Sequence, residues 1–287
     1  MRFASFKQHF QDWFTQQWVI LWGRKISPSS HAWLLGPFGS IGDQGEDFIY
    51  QLAQKEGLDV QRNCQHTGIL PDVNALNLPS DQRQKLDSSI ADFYEKTAHY
   101  DLKIKLKWNP FFKGFGYLVH LLFGKRIKQL NIPISNDSQP QHIRSEIIQL
   151  LDPTTQNVQH TFWLRTYESN GDVLFSGLYG TGQLPTGETV VKVVFPLPQG
   201  NATVLLTPSI TTDGQLLLQA SGTAFGEAGF YFLLHDTKKQ YWAQYIASFT
   251  DQLVVDAAGS SLKAYQQLKL AGCSVLKITY LLQPREQ

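Results

Sequence analysis

Cysteine is scarce in this sequence, with Cys64 and Cys273 the only two among 287 residues. Two thiols make no disulfide framework, and this usage favours a reduced, cytosolic compartment. The chain contains 42% hydrophobic and 13% aromatic residues, which is the composition of a globular protein. It is long enough to bury a substantial core, as one large domain or two small ones.

Long apolar runs and an excess of one charge are also missing. No segment approaches the roughly 18 apolar residues that a membrane-spanning helix needs, and the N-terminus lacks the pattern of a secretion signal. The formal net charge is +1, so no overall attraction to nucleic acid is expected. We therefore predict a cytoplasmic protein, or one held peripherally at the inner face of a membrane, without a nucleic-acid partner.

The sequence contains no familiar catalytic or metal-binding motif. It has no Gly-x-Ser-x-Gly elbow and no His-Glu-x-x-His pair, and Cys64 with His66 supplies too few ligands for a metal site. Neither a metal nor a cofactor is predicted. The acid–base candidates are ionisable side chains on or beside predicted strands: Glu227, the pair His235 and Asp236, and Arg165 with Glu168. A carboxyl group in apolar surroundings there would have a raised pKa, as suits a general acid.

What the sequence does contain is a long series of strand signals between His160 and Leu282. Stretches rich in aromatic and β-branched residues, most clearly 188–195, alternate with turn signals. Asn170-Gly171 and Asp213-Gly214 are typical of tight hairpin turns. Short strands at regular spacing with turns between them indicate an antiparallel sandwich or barrel.

One segment of this half is ambiguous. Residues 260–270 fit a strand, but Leu262, Tyr265 and Leu268 recur every third residue, as in a helix. A helix across a curved sheet would make a helix-grip-like cup, whereas a strand would continue a calycin-like barrel. The predicted fold class is α+β, with a helical N-terminal region packed on a C-terminal antiparallel sheet that is strongly curved or closed into a barrel.

The N-terminal region is predicted to be mainly helical, with helices at about 3–22, 43–56 and 80–98. Residues 101–108 alternate apolar residues with lysines, which predicts a half-buried strand at a sheet edge, where lysines discourage further pairing. The polar segment 131–140 is the best boundary and divides the chain into 1–135 and 141–287. If the strand at 101–108 joins the same sheet, the two parts form a single integrated domain.

Two aromatic segments have two interpretations each. The N-terminal helix, with its stripe of Phe and Trp, and the apolar run that starts at Phe111 either pack as core helices or lie in a membrane interface. The second segment ends in a cationic cluster, which would favour an anionic leaflet. The residues predicted to form a lid or touch a membrane are Phe111, Phe112, Phe115, Leu118, Leu122, Lys125, Arg126 and Lys128.

These observations favour a binding protein over an enzyme. A curved sheet with many glycines and aromatic residues can enclose an apolar cavity, so the predicted partner is an apolar small molecule or lipid, with a membrane surface as a second partner. The predicted ligand-binding residues are Phe175, Tyr179, Phe195, Phe230, Phe232 and Tyr245. The alternatives are an enzyme on the same scaffold that uses Glu227 or His235 as acid or base, and a structural or interaction domain without a cavity.

Overall fold

The computed structural model describes residues 10–39, 45–64, 67–112, 132–133, 136 and 138–285. Within these residues the helices are short and come mostly before the strands. The α-helices are α1 (Phe10–Trp22), α2 (Glu46–Glu56), α3 (Ser80–Arg83) and α4 (Ser88–Glu95). Single turns of 3-10 helix lie at Val73–Leu76, Thr97–His99 and Pro110–Phe112.

Strands make up most of the C-terminal half, and neighbouring strands pair antiparallel. They are β1 (Arg24–Ile26), β2 (Asp59–Arg62), β3 (Tyr100–Trp108), β4 (Gln141–Leu151), β5 (Val158–Tyr167), β6 (Val173–Gln183), β7 (Thr189–Leu197), β8 (Gly200–Ile210), β9 (Leu216–Ala220), β10 (Gly229–His235), β11 (Tyr241–Tyr245), β12 (Phe249–Ala258), β13 (Ser261–Leu270) and β14 (Cys273–Pro284).

Ten of these strands close into a barrel in the order β8-β7-β6-β5-β4-β3-β14-β13-β12-β9. The ring closes because β9 pairs with β12 on one side and with the second part of β8 on the other. The predicted α+β fold with a sheet closed into a barrel is therefore confirmed. We call the end of the barrel where β3 begins its lower end, and the end where β3 finishes its upper end.

The barrel is wide and its strands are strongly tilted. When paired residues are followed once around the ring, the register shifts by about 14 residues, which together with the strand number sets the tilt and the width of a barrel. Barrels of eight strands already have room for packed side chains or one small ligand, so a barrel of this size needs large side chains to fill it.

Alternation of apolar and polar residues directs each strand's side chains to the inside or the outside. In β3, Leu102, Ile104, Leu106 and Trp108 are buried, whereas Lys105 and Lys107 between them are exposed. The hairpins form where the sequence predicts them: Gly171 follows β5 with a φ of 75° and Gly214 follows β8 with a φ of 80°. These are left-handed conformations that glycine adopts without strain.

Helices and turns close the lower end of the barrel. Ile90 and Phe93 of α4 are buried in the same hydrophobic core as Ile104 and Ile147 of the barrel wall. The backbone N–H of Asp87 donates to the carbonyl of Gly214, which ties this helical region to the β8–β9 hairpin. The ring of Phe93 lies 6.1 Å from that of Trp163 inside the barrel.

A small extension leaves the barrel at β8. The first part of β8 pairs with β10, and β11 and β1 follow outward in the same sheet. Helix α1 packs on this extension through Val19 and Ile20, which share a buried cluster with Leu234 and Trp242. The C-terminal end of α1 is exposed at Leu21 and Trp22.

Two local predictions are corrected by the structure, and one ambiguity is resolved. The strand at 101–108 is not an edge strand, because β3 pairs with β14 along its whole length and with β4 over three residues. The ambiguous segment 260–270 contains the strand β13 (Ser261–Leu270), as the first of its two interpretations predicts. The single helix expected at 80–98 is divided into α3 and α4, with the Asp87 side chain accepting from the Ser89 N–H at the start of α4.

Candidate functional site

A group of polar side chains occupies the interior of the barrel, which is otherwise apolar. The residues face inward from five strands, β5, β6, β12, β13 and β14, and they form the central polar cluster: Arg165, Tyr179, Asp251, Gln266 and Tyr280. Burial of an ionisable group in a protein interior costs free energy unless the group is paired or takes part in binding or catalysis. This cluster is therefore the strongest candidate for a functional site.

Arg165 is the centre of this cluster and is only 5% exposed. Its Nη2 atom donates to the Tyr179 hydroxyl at 2.6 Å, and its guanidinium carbon lies 4.2 Å from the Trp163 ring centre and 4.6 Å from that of Phe175. Aromatic faces attract a cation in this geometry. The Trp163 ring is itself fixed by a 2.8 Å hydrogen bond to the Ser145 hydroxyl.

The charge of Arg165 has no anionic partner within the described part of the chain. No carboxylate oxygen there lies within 4.0 Å of its nitrogens, and its buried Nε has no hydrogen-bond acceptor. A buried guanidinium normally has a carboxylate or phosphate partner, because desolvation of the charge is otherwise not offset. The Nε–H of Arg165 is therefore a buried donor to which an anionic group could bind.

The second half of the cluster is a chain of hydrogen bonds between Tyr280, Gln266 and Asp251. The Tyr280 hydroxyl donates to Oε1 of Gln266 at 2.6 Å. The Gln266 amide nitrogen lies 3.0 Å from Oδ1 and 2.8 Å from Oδ2 of Asp251. Burial raises the pKa of the Asp251 carboxyl to about 7, and the Gln266 hydrogen bonds oppose this rise only in part. Asp251 can therefore gain or lose a proton near neutral pH.

The tyrosines of the cluster stay protonated. Burial raises the pKa of Tyr179, and the neighbouring Arg165 charge opposes this rise without cancelling it. Burial likewise raises the pKa of the Tyr280 hydroxyl, again against the influence of Arg165. Both hydroxyls are therefore neutral hydrogen-bonding groups, and neither supplies the negative charge that Arg165 lacks.

The predicted ligand-binding residues divide into three groups. Phe175, Tyr179 and Phe195 point into the barrel and are only partly buried, with the rings of Phe175 and Phe195 6.4 Å apart. Phe230 packs against the same core and Phe232 touches both Phe230 and Trp18 of α1. Tyr245 lies elsewhere, beside Tyr231 in a separate cluster on the extension.

The residues predicted to form a lid or membrane contact are described only at their start. Phe111 is 94% exposed, and Phe112 packs against the barrel core. The remaining six lie outside the described residues: Phe115, Leu118, Leu122, Lys125, Arg126 and Lys128.

The acid–base candidates Glu227, His235 and Asp236 lie in turns or at a strand end on the extension. The Glu227 carboxylate accepts from the Thr223 and Ala224 N–H groups, and these hydrogen bonds lower its pKa. Burial would raise the pKa of Asp236, but hydrogen bonds from Gln240, Trp242 and Lys238 lower it. His235 packs on Phe38 at the end of β10, whereas Glu227 precedes the start of that strand. The two lowered pKa values are the reverse of what a general acid needs.

Two grooves mark the outer surface. One, of about 240 Å³, lies between the extension and α2 and includes Phe38, Phe48, Lys55 and His235. The other, of about 350 Å³, lies on the outer face of β12, β13 and β14 and includes Gln252, Tyr265, Gln267 and Lys277. Neither opens onto Arg165.

Sequence reasoning named Arg165 only as an acid–base candidate and missed Asp251, Gln266 and Tyr280. One signal was available: Arg165 stands at the same strand face as Trp163 and Tyr167, both of which are buried. The partners could not be found in this way, because β12, β13 and β14 meet β5 across the barrel and not along the sheet.

Metal and membrane-spanning features are not found in the described part of the chain. It holds no group of three or more His, Cys, Asp or Glu side chains placed to bind a metal ion. Its helices are all too short or too polar to cross a bilayer. Cys64 and Cys273 are both free thiols.

Comparison with known proteins gives one significant similarity. The chain is 25% identical over 164 residues to the protein named uncharacterized membrane protein YndJ of Bacillus subtilis (strain 168). The aligned part covers 57% of this chain and 28% of that protein. No family model matches the chain, and no solved structure matches it.

Proposed function

We propose that the protein binds an amphiphilic small molecule whose acidic head group, a carboxylate or a phosphate, pairs with Arg165 inside the barrel. The observation that carries the proposal is the buried guanidinium without an anionic partner in the described residues. Charge-assisted hydrogen bonds from arginine to an oxyanion are among the strongest in proteins. An acidic ligand would therefore offset the desolvation of Arg165.

The apolar part of the ligand would lie along the aromatic residues at the upper part of the barrel. Phe175 touches Arg165 on one side and Phe195 on the other, and both are only partly buried. A ligand would move or replace these two rings to reach the guanidinium. Ligand sites of this kind combine an apolar lining with one or two placed polar groups.

The name of the similar protein is consistent with a lipid-like ligand, since a membrane protein works next to amphiphiles. Cytoplasmic location, a membrane partner and a lid at 111–128 stay predictions. The enzyme alternative receives no support at Glu227, because the hydrogen bonds to its carboxylate lower its pKa.

The proposal is tested with Arg165→Met and native mass spectrometry. Protein purified without detergent should carry an acidic amphiphile that organic extraction releases, and long-chain fatty acids should quench Trp163 fluorescence on titration. The variant should bind about 10- to 100-fold more weakly, because a charge-assisted hydrogen bond contributes about 1.5–3 kcal/mol.

The matched control is Arg144→Met, which removes an exposed arginine from the outer face of the neighbouring strand β4. It should bind like the wild type. When both proteins have been stripped of ligand, Arg165→Met should also have the higher melting temperature, since an unpaired buried charge is replaced by an apolar side chain of similar length. Equal binding by both variants, or a marked loss of stability in Arg165→Met alone, would show that Arg165 is structural.

A further inference from the structure

The outer face of the barrel carries a concentration of positive charge that the binding site does not use. Three adjacent strands, β13, β14 and β3, present six lysines to solvent, which form the lysine face: Lys103, Lys105, Lys107, Lys263, Lys269 and Lys277. Alternation in the sequence predicts that the three lysines of β3 face solvent. The pairing of β3 with β14 and of β14 with β13 places the other three lysines on the same face.

Two lysines of this face are placed unfavourably in the isolated protein, whereas Lys263 lies opposite Asp256 on the paired strand β12. Lys107 and Lys277 lie directly opposite each other on paired strands, and like charges in that position are destabilising. Within the described residues, no carboxylate lies within ion-pair distance of any lysine of this face. The nearby Asp101 is paired with Arg285 instead.

Charge is distributed unevenly over the whole molecule. The net charge of the chain is only +1, so the charges of the residues outside the lysine face sum to a negative value. A long polyanion that wraps the protein would meet this net negative charge, whereas a planar anionic surface meets one face alone. The asymmetry favours a membrane over a nucleic acid as the partner.

Exposed aromatic rings accompany the lysines. Tyr265, 48% exposed, lies in the middle of the face and borders the groove of about 350 Å³ that also includes Lys277. Phe111, 94% exposed, follows β3, in a turn held to β14 by the hydrogen bond from the Asn109 amide to the Ser274 carbonyl. Aromatic residues beside cations are typical of surfaces that rest in the headgroup region of a bilayer.

We infer that the lysine face docks the protein on a membrane rich in anionic phospholipid, with Phe111 and Tyr265 entering the headgroup region. The contact neutralises the repulsion between Lys107 and Lys277 and orients the barrel on the bilayer. This inference does not depend on Arg165, whose side chain lies on the opposite side of the barrel wall.

The test is co-sedimentation with phosphatidylcholine vesicles that contain or lack phosphatidylserine. The protein should bind only the anionic vesicles, and high salt should release it. The triple variant Lys105→Gln, Lys107→Gln and Lys277→Gln should bind at least about 10-fold more weakly, since each lysine near an anionic surface contributes several-fold to the affinity. Phe111→Ser should weaken binding to the anionic vesicles at low salt, because it removes the ring that enters the headgroup region.

The matched control removes three exposed lysines elsewhere, as Lys55→Gln, Lys85→Gln and Lys238→Gln. It should change vesicle binding less than twofold. The inference is overturned by equal binding of the two triple variants, by no binding to phosphatidylserine vesicles at low salt, or by tighter binding to an RNA or DNA oligonucleotide than to the vesicles. Unchanged melting of the exposed variants confirms that they fold.

Discussion

Asp251 is a residue whose acid–base chemistry is strongly altered by the fold. The residue is 7% exposed, and the burial that raises the pKa of its carboxyl group from 3.8 to about 7 favours the protonated form. Arg165, Tyr179 and Tyr280 share the interior with it, but the contact that it makes is with the Gln266 amide.

The protonation of Asp251 makes stability depend on pH. Between pH 3.8 and about pH 7 the unfolded chain has lost this proton and the folded chain keeps it, so the free energy of unfolding falls as pH rises through this window. Asp251→Asn resembles the protonated form at every pH. At pH 8 it should therefore be more stable than the wild type, by an amount on the order of 4 kcal/mol at most.

Urea unfolding at pH 5 and pH 8 measures this difference. The gain of Asp251→Asn should be large at pH 8 and small at pH 5. As a control, Asp213→Asn changes an exposed carboxyl group in the β8–β9 turn and should show no such dependence. An equal gain at both pH values would mean that Asp251 titrates in its ordinary range.

For single residues, the sequence predicts which face of a strand a side chain lies on, but it does not predict which side chains of other strands it contacts. Alternation shows that Arg165 and Trp163 share a face, because that rule depends only on neighbours in the chain. The contact of Gln266 with Asp251 depends on the register between β12 and β13. A slip of one residue in this register would move one of the two side chains to the other face of the sheet.

Among the elements, α1 shows a division between a packed side and an exposed end. Val19 and Ile20 are buried against Leu234 and Trp242, whereas Trp22 is 73% exposed. Ile20→Ala should therefore lower the free energy of unfolding by about 2–5 kcal/mol, through lost apolar contact and the cavity that remains. Trp22→Ala should change it by less than about 0.5 kcal/mol, as exposed positions do.

Chemical denaturation of both variants, with proteolysis of α1 as a second readout, checks this prediction. Ile20→Ala should be cleaved faster within α1 if the helix leaves the extension before the barrel unfolds. A large cost for Trp22→Ala together with a small one for Ile20→Ala would contradict the packing described for α1.

Elements that depend on local signals were predicted well. Asn170-Gly171 and Asp213-Gly214 define their hairpins, because a left-handed glycine is needed there whatever surrounds it. The segment 80–98 was predicted as one helix because its apolar spacing is continuous. At the break, the Asp87 side chain accepts from the Ser89 N–H, and the Asp87 N–H donates to the carbonyl of Gly214 in a distant hairpin, a contact that apolar spacing does not reveal.

For the whole molecule, the decisive feature is the position of β3. This strand comes from the N-terminal region and lies between β4 and β14 in the barrel. A fragment of residues 141–287 therefore lacks one of the ten barrel strands, with open edges at β4 and β14. We expect it to aggregate or remain partly unfolded, because without β3 the barrel is open and its two unpaired strand edges are exposed to other chains.

Size-exclusion chromatography and amide NMR spectra of this fragment give the measurement. A monomer with well-dispersed amide signals would show that the C-terminal part folds alone, as the predicted division at 131–140 implies. Addition of a separate peptide that contains residues 100–108 should restore a folded complex if the missing strand is the only defect.

The order of synthesis also affects β3, because this strand is made long before its partner β14. Its partner β14 is translated last among the strands, and the Asn109–Ser274 contact beside this seam joins residues 165 positions apart. While the intervening chain leaves the ribosome, β3 is a free edge beside unfinished neighbours. Lys103, Lys105 and Lys107 then act as gatekeepers that keep nascent chains from joining edge to edge. The same charges that disfavour pairing with other chains during synthesis lie on the outer face of the folded barrel.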